Sequence, residues 1–246
     1  ELKKSTGNKI KIEIQISNIN TTEKPFQHNE YIDSAIIKPP NQIVPGGFKA
    51  GYFEFCTSLK EVTLPETITK IGGGAFYSCS KLTKINIPNS VTIIEPGAFG
   101  ECSSLTNVSF PNSVSLIGNN LCMNCSSLKS VKLPTAATAI GNNSFLGCSS
   151  LVEIDIPSLV ATIGNSSFNK CKSLKKISIP SSVKSIGDKV FEECSSLSEI
   201  SLQSVTQIGD FTFNKCTSLT QILIPSVTQI GNHAFSECSS LKRITI

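Results

Sequence analysis

At 246 residues, with 22 Lys and Arg against 18 Asp and Glu, the chain carries a net charge of +4, too small an excess to point to nucleic acid or an anionic membrane as its partner. Hydrophobic residues make up 39%, enough for a core, but Trp is absent and Phe (13) far outnumbers Tyr (3), so nothing marks an aromatic-lined pocket. No run approaches the ~18 apolar residues of a membrane span, so no direct membrane insertion is expected; Glu1-Leu2-Lys3-Lys4 opens no signal-peptide segment, and without an initiating Met the chain reads as a mature form or a fragment.

Residues 1–39 read as a non-repeat N-terminal segment. Ile10, Ile12, Ile14 and Ile16 alternate with Lys9, Lys11, Glu13 and Gln15, which predicts a half-buried strand near 9–17. Together with the stretch from Tyr31 to Ile37 this strand is expected to cap the apolar end of the first repeat; the competing reading is the remnant of a separate upstream domain.

From residue 40 to 246 the chain is periodic. Cysteines at 56, 79, 102, 125, 148, 171, 194, 216 and 238 are separated by six steps of 23 residues and then two of 22. Phe stands three residues before them at Phe53, Phe76, Phe99, Phe145, Phe168, Phe191, Phe213 and Phe235, and only Cys122 breaks that column. Leu stands three residues after every one, from Leu59 to Leu241. A first repeat around Pro45-Gly46-Gly47-Phe48 is degenerate: it looks like Pro96-Gly97-Ala98-Phe99 but is followed by extra residues, which predicts an insertion near 49–55.

Within a repeat, Leu82-Thr83-Lys84-Ile85-Asn86-Ile87 ends with period two, so Ile85 and Ile87 go to one face of a short strand and Lys84 and Asn86 to the other. Proline then ends the strand at Pro65, Pro88, Pro111, Pro134, Pro157, Pro180 and Pro225. Val183-Lys184-Ser185-Ile186-Gly187 exemplifies a second extended segment closed by Gly, where either φ > 0 or a close backbone approach is required. From that Gly to the Cys, apolar groups three apart predict one helical or 3₁₀ turn. About nine such 22–23-residue units, none able to bury its own apolar face, stack into a solenoid: a mostly β member of the repeat α/β class.

The pattern L-x-x-I-x-I-P-x-x-V-x-x-I-G-x-x-A-F-x-x-C resembles the BspA-like, or Treponema pallidum-type, leucine-rich repeat family over residues 40 to 246. That resemblance implies a curved solenoid with its main parallel sheet on the concave side and a surface protein that adheres to host proteins or other cells, although intracellular members exist. Two departures stand out. The last two repeats are one residue short after the strand, with Gln203-Ser204-Val205 lacking the proline, which should tighten that turn. The sequence ends at Ile246 on a strand position with no polar C-terminal cap, which suggests end-to-end self-association through that repeat, or truncation.

Catalytic and cofactor constellations are weak, and neither an enzyme nor a cofactor or metal is expected. The ten cysteines read as buried free thiols rather than a disulfide framework, because stacked positions point the same way into the core. Cys122-x-x-Cys125 lacks a second pair for zinc, and Cys122 merely fills the Phe column. His28 and His233 sit beside no candidate nucleophile. Ile71-Gly72-Gly73-Gly74 and Ile140-Gly141-Asn142-Asn143 are repeat turns, with no phosphate-loop Lys following. Sequons at Asn20, Asn107, Asn124, Asn142 and Asn165 arise readily in a chain rich in Asn and Ser.

The outward strand positions, five and seven residues after each Cys, are the candidate partner-binding face: Lys84, Asn86, Asn107, Ser109, Ser130, Lys132, Glu153, Asp155, Lys176, Ser178, Glu199 and Ser201. They change from repeat to repeat while the inward positions hardly do. A polar, mixed-charge surface suits a protein partner. The expected function is therefore a protein-binding or adhesion module, secreted or on a cell surface; the alternative is a cytoplasmic scaffold or assembly subunit.

Overall fold

The computed structural model describes residues 10–15, 26–38 and 46–246. Expectations that fall on Lys9, Ile16, Asn20 and Pro45 lie outside the described residues.

The chain is a parallel β-solenoid. One face is built from three-residue strands, among them Glu61–Thr63, Asn107–Ser109, Ser130–Lys132, Glu153–Asp155, Lys176–Ser178, Glu199–Ser201, Gln221–Leu223 and Arg243–Thr245. They pair parallel and in register, Ile154 opposite Ile177 and Ile200 opposite Ile222. Residues 84–86 keep the same exposed, buried, exposed alternation without a strand ladder. A second row of shorter strands includes Ile68–Ile71, Ile93–Ile94, Ala139–Ile140, Thr162–Ile163, Ser185–Ile186, Gln207–Ile208 and Gln229–Ile230.

The segment from Gly to Cys holds no helix, contrary to the helical or 3₁₀ turn that its spacing suggests. The reason lies in where its N–H groups go. In the Cys79 coil, Ala75, Tyr77 and Cys79 donate within the coil to Gly72, Gly74 and Phe76, whereas Gly74, Phe76 and Ser78 donate to Pro96, Ala98 and Gly100 of the next coil. A helix would use every N–H internally and leave none for stacking. The alternation is made by two left-handed residues per coil, one and five before the Cys, with φ between 54° and 72° from Gly51 and Phe55 to His233 and Glu237.

The repeat begins earlier than its cysteines show. Ile32–Lys38 pairs in register with Glu61–Thr63, Ala35 opposite Val62. Phe26 stacks on Phe53 at 5.5 Å and its carbonyl accepts the Cys56 thiol at 2.8 Å, as the Phe53 carbonyl accepts the Cys79 thiol at 3.1 Å. Phe26, Asn29, Ile32 and Ala35 thus hold the Phe, Cys, Leu and first inward strand positions of a further coil. Ile10–Gln15 pairs parallel to that coil's strand, with Ile12 buried opposite Ala35 and Lys11 exposed. The insertion expected near 49–55 is absent: Gly46–Phe48 is a second-row strand with Phe48 opposite Ile71, so Phe53 falls on the Phe column without extra residues.

The core is a set of single-residue columns. Phe26, Phe53, Phe76 and Phe99 form one ring stack, and Phe145, Phe168, Phe191, Phe213 and Phe235 a second, with centroids 5.4–5.7 Å apart. Cys122 separates them. Phe110 stands in a strand column otherwise held by Leu or Ile, is 1% exposed, and tilts onto Phe99 at 6.2 Å, supplying bulk beside the missing ring. Replacing Cys122→Phe alone should overpack this layer and cost about 1–3 kcal/mol in urea unfolding. Adding Phe110→Leu should recover about 1 kcal/mol or more of that cost; strictly additive effects would show that the two sites do not share one volume.

Candidate partner-binding face

All twelve of the strand-face residues singled out from the sequence point outward; eleven are exposed and Ser201 is partly so. The inward residue between each pair, such as the buried Ile154, Ile177 or Ile200, fixes that orientation, because successive strand side chains alternate between faces. Charge varies by coil along this face: Lys129 and Lys132, then Glu153 and Asp155, then Lys175 and Lys176, then Glu199, with Lys242 and Arg243 in the last coil.

Across the last four coils the face deepens into a groove of about 580 Å³ that brings together Lys176, Ser178, Glu199 and Ser201. Gln203, Gln221, Leu223, Arg243 and Thr245 also line it. Four of these lie on the same two outward columns carried into the next two coils, so extending the spacing rule was signal enough to find them. Gln203 is signalled by the missing proline. Glu199 Oε2 accepts from Gln221 Nε2 at 3.0 Å, and Ser201 Oγ from Gln203 Nε2 at 2.9 Å.

On another side of the coil a ladder runs that sequence reasoning missed, although its signal is plain: Asn or Asp follows the repeat Gly in six successive coils. Asn142 N–H donates to Asn119 Oδ1, Asn165 to Asn142, Asp188 to Asn165, Asp210 to Asp188 and Asn232 to Asp210, at 2.6–3.0 Å. A Cβ on Gly141 would stand 2.6 Å from Asn119 Oδ1, so close approach, not positive φ, calls for Gly there.

All ten cysteines are free. The nine that mark the period, from Cys56 to Cys238, each donate a thiol to the carbonyl in the Phe column of the preceding coil at 2.8–3.2 Å. Burial pushes the thiols of Cys79, Cys102, Cys148, Cys171, Cys194 and Cys216 well up from the ordinary value, and Cys56 up to about 12. Cys122 is raised first by its hydrogen bond with the Cys125 thiol and then by burial. Such groups are poor nucleophiles. Among the described residues no group of three His, Cys, Asp or Glu is placed to hold a metal. His28 stacks on Phe55 at 4.6 Å and His233 on Phe211 at 5.0 Å, so both pack on an aromatic neighbour in the next or preceding coil. Asn107 is exposed on the strand face, Asn142 and Asn165 belong to the Asx ladder, and Asn124 donates to Glu101. No helix among the described residues is long and apolar enough to cross a membrane.

Stacked parallel strands, one Leu, Ile, Phe and Cys column per turn, and a variable outer face define a leucine-rich repeat solenoid. The chain belongs to the BspA type leucine-rich repeat family, whose six-copy region matches residues 23–152 and 138–246. A leucine rich cell surface protein from Faecalibacterium prausnitzii A2-165 is 26% identical with a TM-score of 0.59, over 98% of this chain and 88% of its own. The T. pallidum leucine rich repeat protein is 26% identical with a TM-score of 0.61, over 80% and 83% of the two chains. A leucine-rich repeat protein from Bacteroides ovatus ATCC 8483 is 26% identical with a TM-score of 0.53, over 79% and 68%. No curated protein sequence matches the chain.

The thiol ladder makes stability fall in alkali. The unfolded thiols ionise near 9.0 while burial holds the Cys56 proton to about 12 and raises Cys79, Cys102, Cys148 and Cys171 well above 9.0, so the folded state binds more protons in that interval. Their contribution is complete below pH 9 and is lost as pH rises, at up to ~1.4 kcal/mol per pH unit for each buried thiol. Urea unfolding at pH 8, 9, 10 and 10.5 should show a steep decline that is shallower in Cys171→Ala; a flat profile would contradict the ladder.

Proposed function

We propose that the chain is an adhesion module, secreted or on a cell surface, that binds protein partners with the outward strand face. The observation that carries this reading is the division within each strand: the middle position is Ile or Val from Val62 to Ile244, while no two coils carry the same pair of outward neighbours. Packing dictates the first and leaves the others free to vary with a partner. The family assignment and the surface description of the F. prausnitzii relative support the location. The polar, mixed-charge face suits a hydrated interface of modest strength multiplied along the stack. The raised thiols and stacked histidines offer no nucleophile, which favours binding over catalysis. The Phe26 coil and the Ile10–Gln15 strand act in this reading as cover for the first cysteine-bearing repeat. A second reading, an intracellular scaffold, draws on the ten thiols lying free.

Beads carrying the full chain test the first reading against immobilised matrix glycoproteins and intact cells. Lys132→Glu, Glu153→Lys and Asp155→Lys together should weaken adhesion at least about tenfold, equivalent to ~1.4 kcal/mol. All three side chains are exposed, so stability should hold to within about 0.5 kcal/mol each. Thr162→Lys, on the second strand row, with Lys184→Glu just before that row's Ser185–Ile186 strand, should leave adhesion unchanged. Equal losses from both variants, or no adhesion by the parent chain, would overturn the assignment.

A further inference from the structure

We propose that the groove across the last four coils binds an extended acidic peptide segment, with one carboxylate at Lys176 and a second, four residues along, at Arg243. The proposal rests on the strand face being the binding face and adds to it the chemistry of an occupant.

The groove coincides with the local change in repeat length. After Glu199–Ser201 and again after Gln221–Leu223 the turn is one residue short, and Gln203 stands where seven other coils have proline. Its side chain folds onto Ser201 instead of rising as a ring beside the strand. Groove and shortened turns occupy the same coils.

The charges in the groove are not equivalent. Glu199 is already hydrogen-bonded by Gln221. Lys176 and Arg243 are exposed, and among the described residues neither has a carboxylate partner. They are the two cations among the groove's lining residues, one at each end. Two anionic groups are therefore what the groove lacks.

Their separation selects the ligand. Lys176 and Arg243 lie three coils apart on one outward column, about 14 Å at a strand spacing of ~4.8 Å. An extended peptide advances about 3.4 Å per residue and repeats its side every second residue, so carboxylates at i and i+4 lie about 13.5 Å apart on one side. The residue midway passes over Glu199 and Gln221 of the same column, with Leu223, the one apolar side chain of the outward columns within the groove, standing beside them. No aromatic side chain lines the groove, so a sugar ring has no stacking platform there.

The test is fluorescence anisotropy of the full chain with a labelled nine-residue peptide carrying Glu at positions 3 and 7 and Leu at 5. Expected results are binding that weakens with salt, a loss of about tenfold when the two Glu are made adjacent, and a similar loss with Lys176→Glu or Arg243→Glu. A peptide with Lys at 3 and 7 should bind the doubly reversed variant better than the parent chain. Lys184→Glu, away from the strand face and the groove, should change nothing. Equal binding of spaced and adjacent peptides, indifference to both reversals, or binding only of a sulfated oligosaccharide would overturn the proposal. Adhesion lost in the Lys132, Glu153 and Asp155 variant without any peptide binding would sink the groove and leave the face assignment standing. Peptide binding as expected, with adhesion untouched by that variant, would sink adhesion through the face and keep the groove.

Discussion

Each coil has to meet the next at one strand spacing, about 4.8 Å, with its donors and acceptors in register, and the other features of the molecule are subordinate to that requirement. In the turn before the Cys, alternate N–H groups serve the coil itself and its neighbour. Once backbones are locked at this spacing, like must lie on like. A Phe column becomes a ring stack, a Cys column a line of thiols against carbonyls, an Asx column a line of side-chain amides and carboxylates capping backbone N–H groups. None of these columns would form if one coil slipped by a residue, since slipping would turn every strand side chain to the other face.

That requirement explains what could be read from the amino acids and what could not. The cysteine period, the inward Ile and Val, the outward columns and the free thiols were legible because each follows from residue spacing alone. The coil beginning at Phe26 was not, since Asn29 stands where the other coils have Cys and Ala35 where they have Ile or Val. Apolar groups three apart suit a helical turn and a pair of linked β-turns equally; only the destination of the N–H groups separates them. The role of Gly141 was open between backbone angle and crowding until Asn119 of the preceding coil was seen to pass beside it. Gln221, Leu223, Arg243 and Thr245 were within reach of the same spacing rule, five and seven residues after Cys216 and Cys238; that they form one groove with Lys176 and Glu199, up to three coils away, was not legible.

The same requirement leaves the outer face free. A side chain pointing outward from a strand meets chiefly its counterparts one coil up and down, so it can change without disturbing the ladder beneath it. Length is less free. The two 22-residue steps lose their residue in the exposed turn between strand and Val, outside the strand ladders, and strand register continues unbroken from Ile200 to Ile222 to Ile244. A surface that varies residue by residue on a scaffold that does not is what a family of binding proteins needs.

Cys122 has a consequence beyond its local packing. Stability in a stacked array is a chain of nearest-neighbour terms, and cooperativity passes from coil to coil only as strongly as the weakest of them. The Cys125 coil is the one place in the Phe column of the described residues where ring does not lie on ring, at its boundaries with both the Cys102 and the Cys148 coil. It divides the solenoid into an N-terminal foldon held by four stacked Phe and a C-terminal foldon held by five, and under pulling force or partial denaturation it is the seam at which the spring parts.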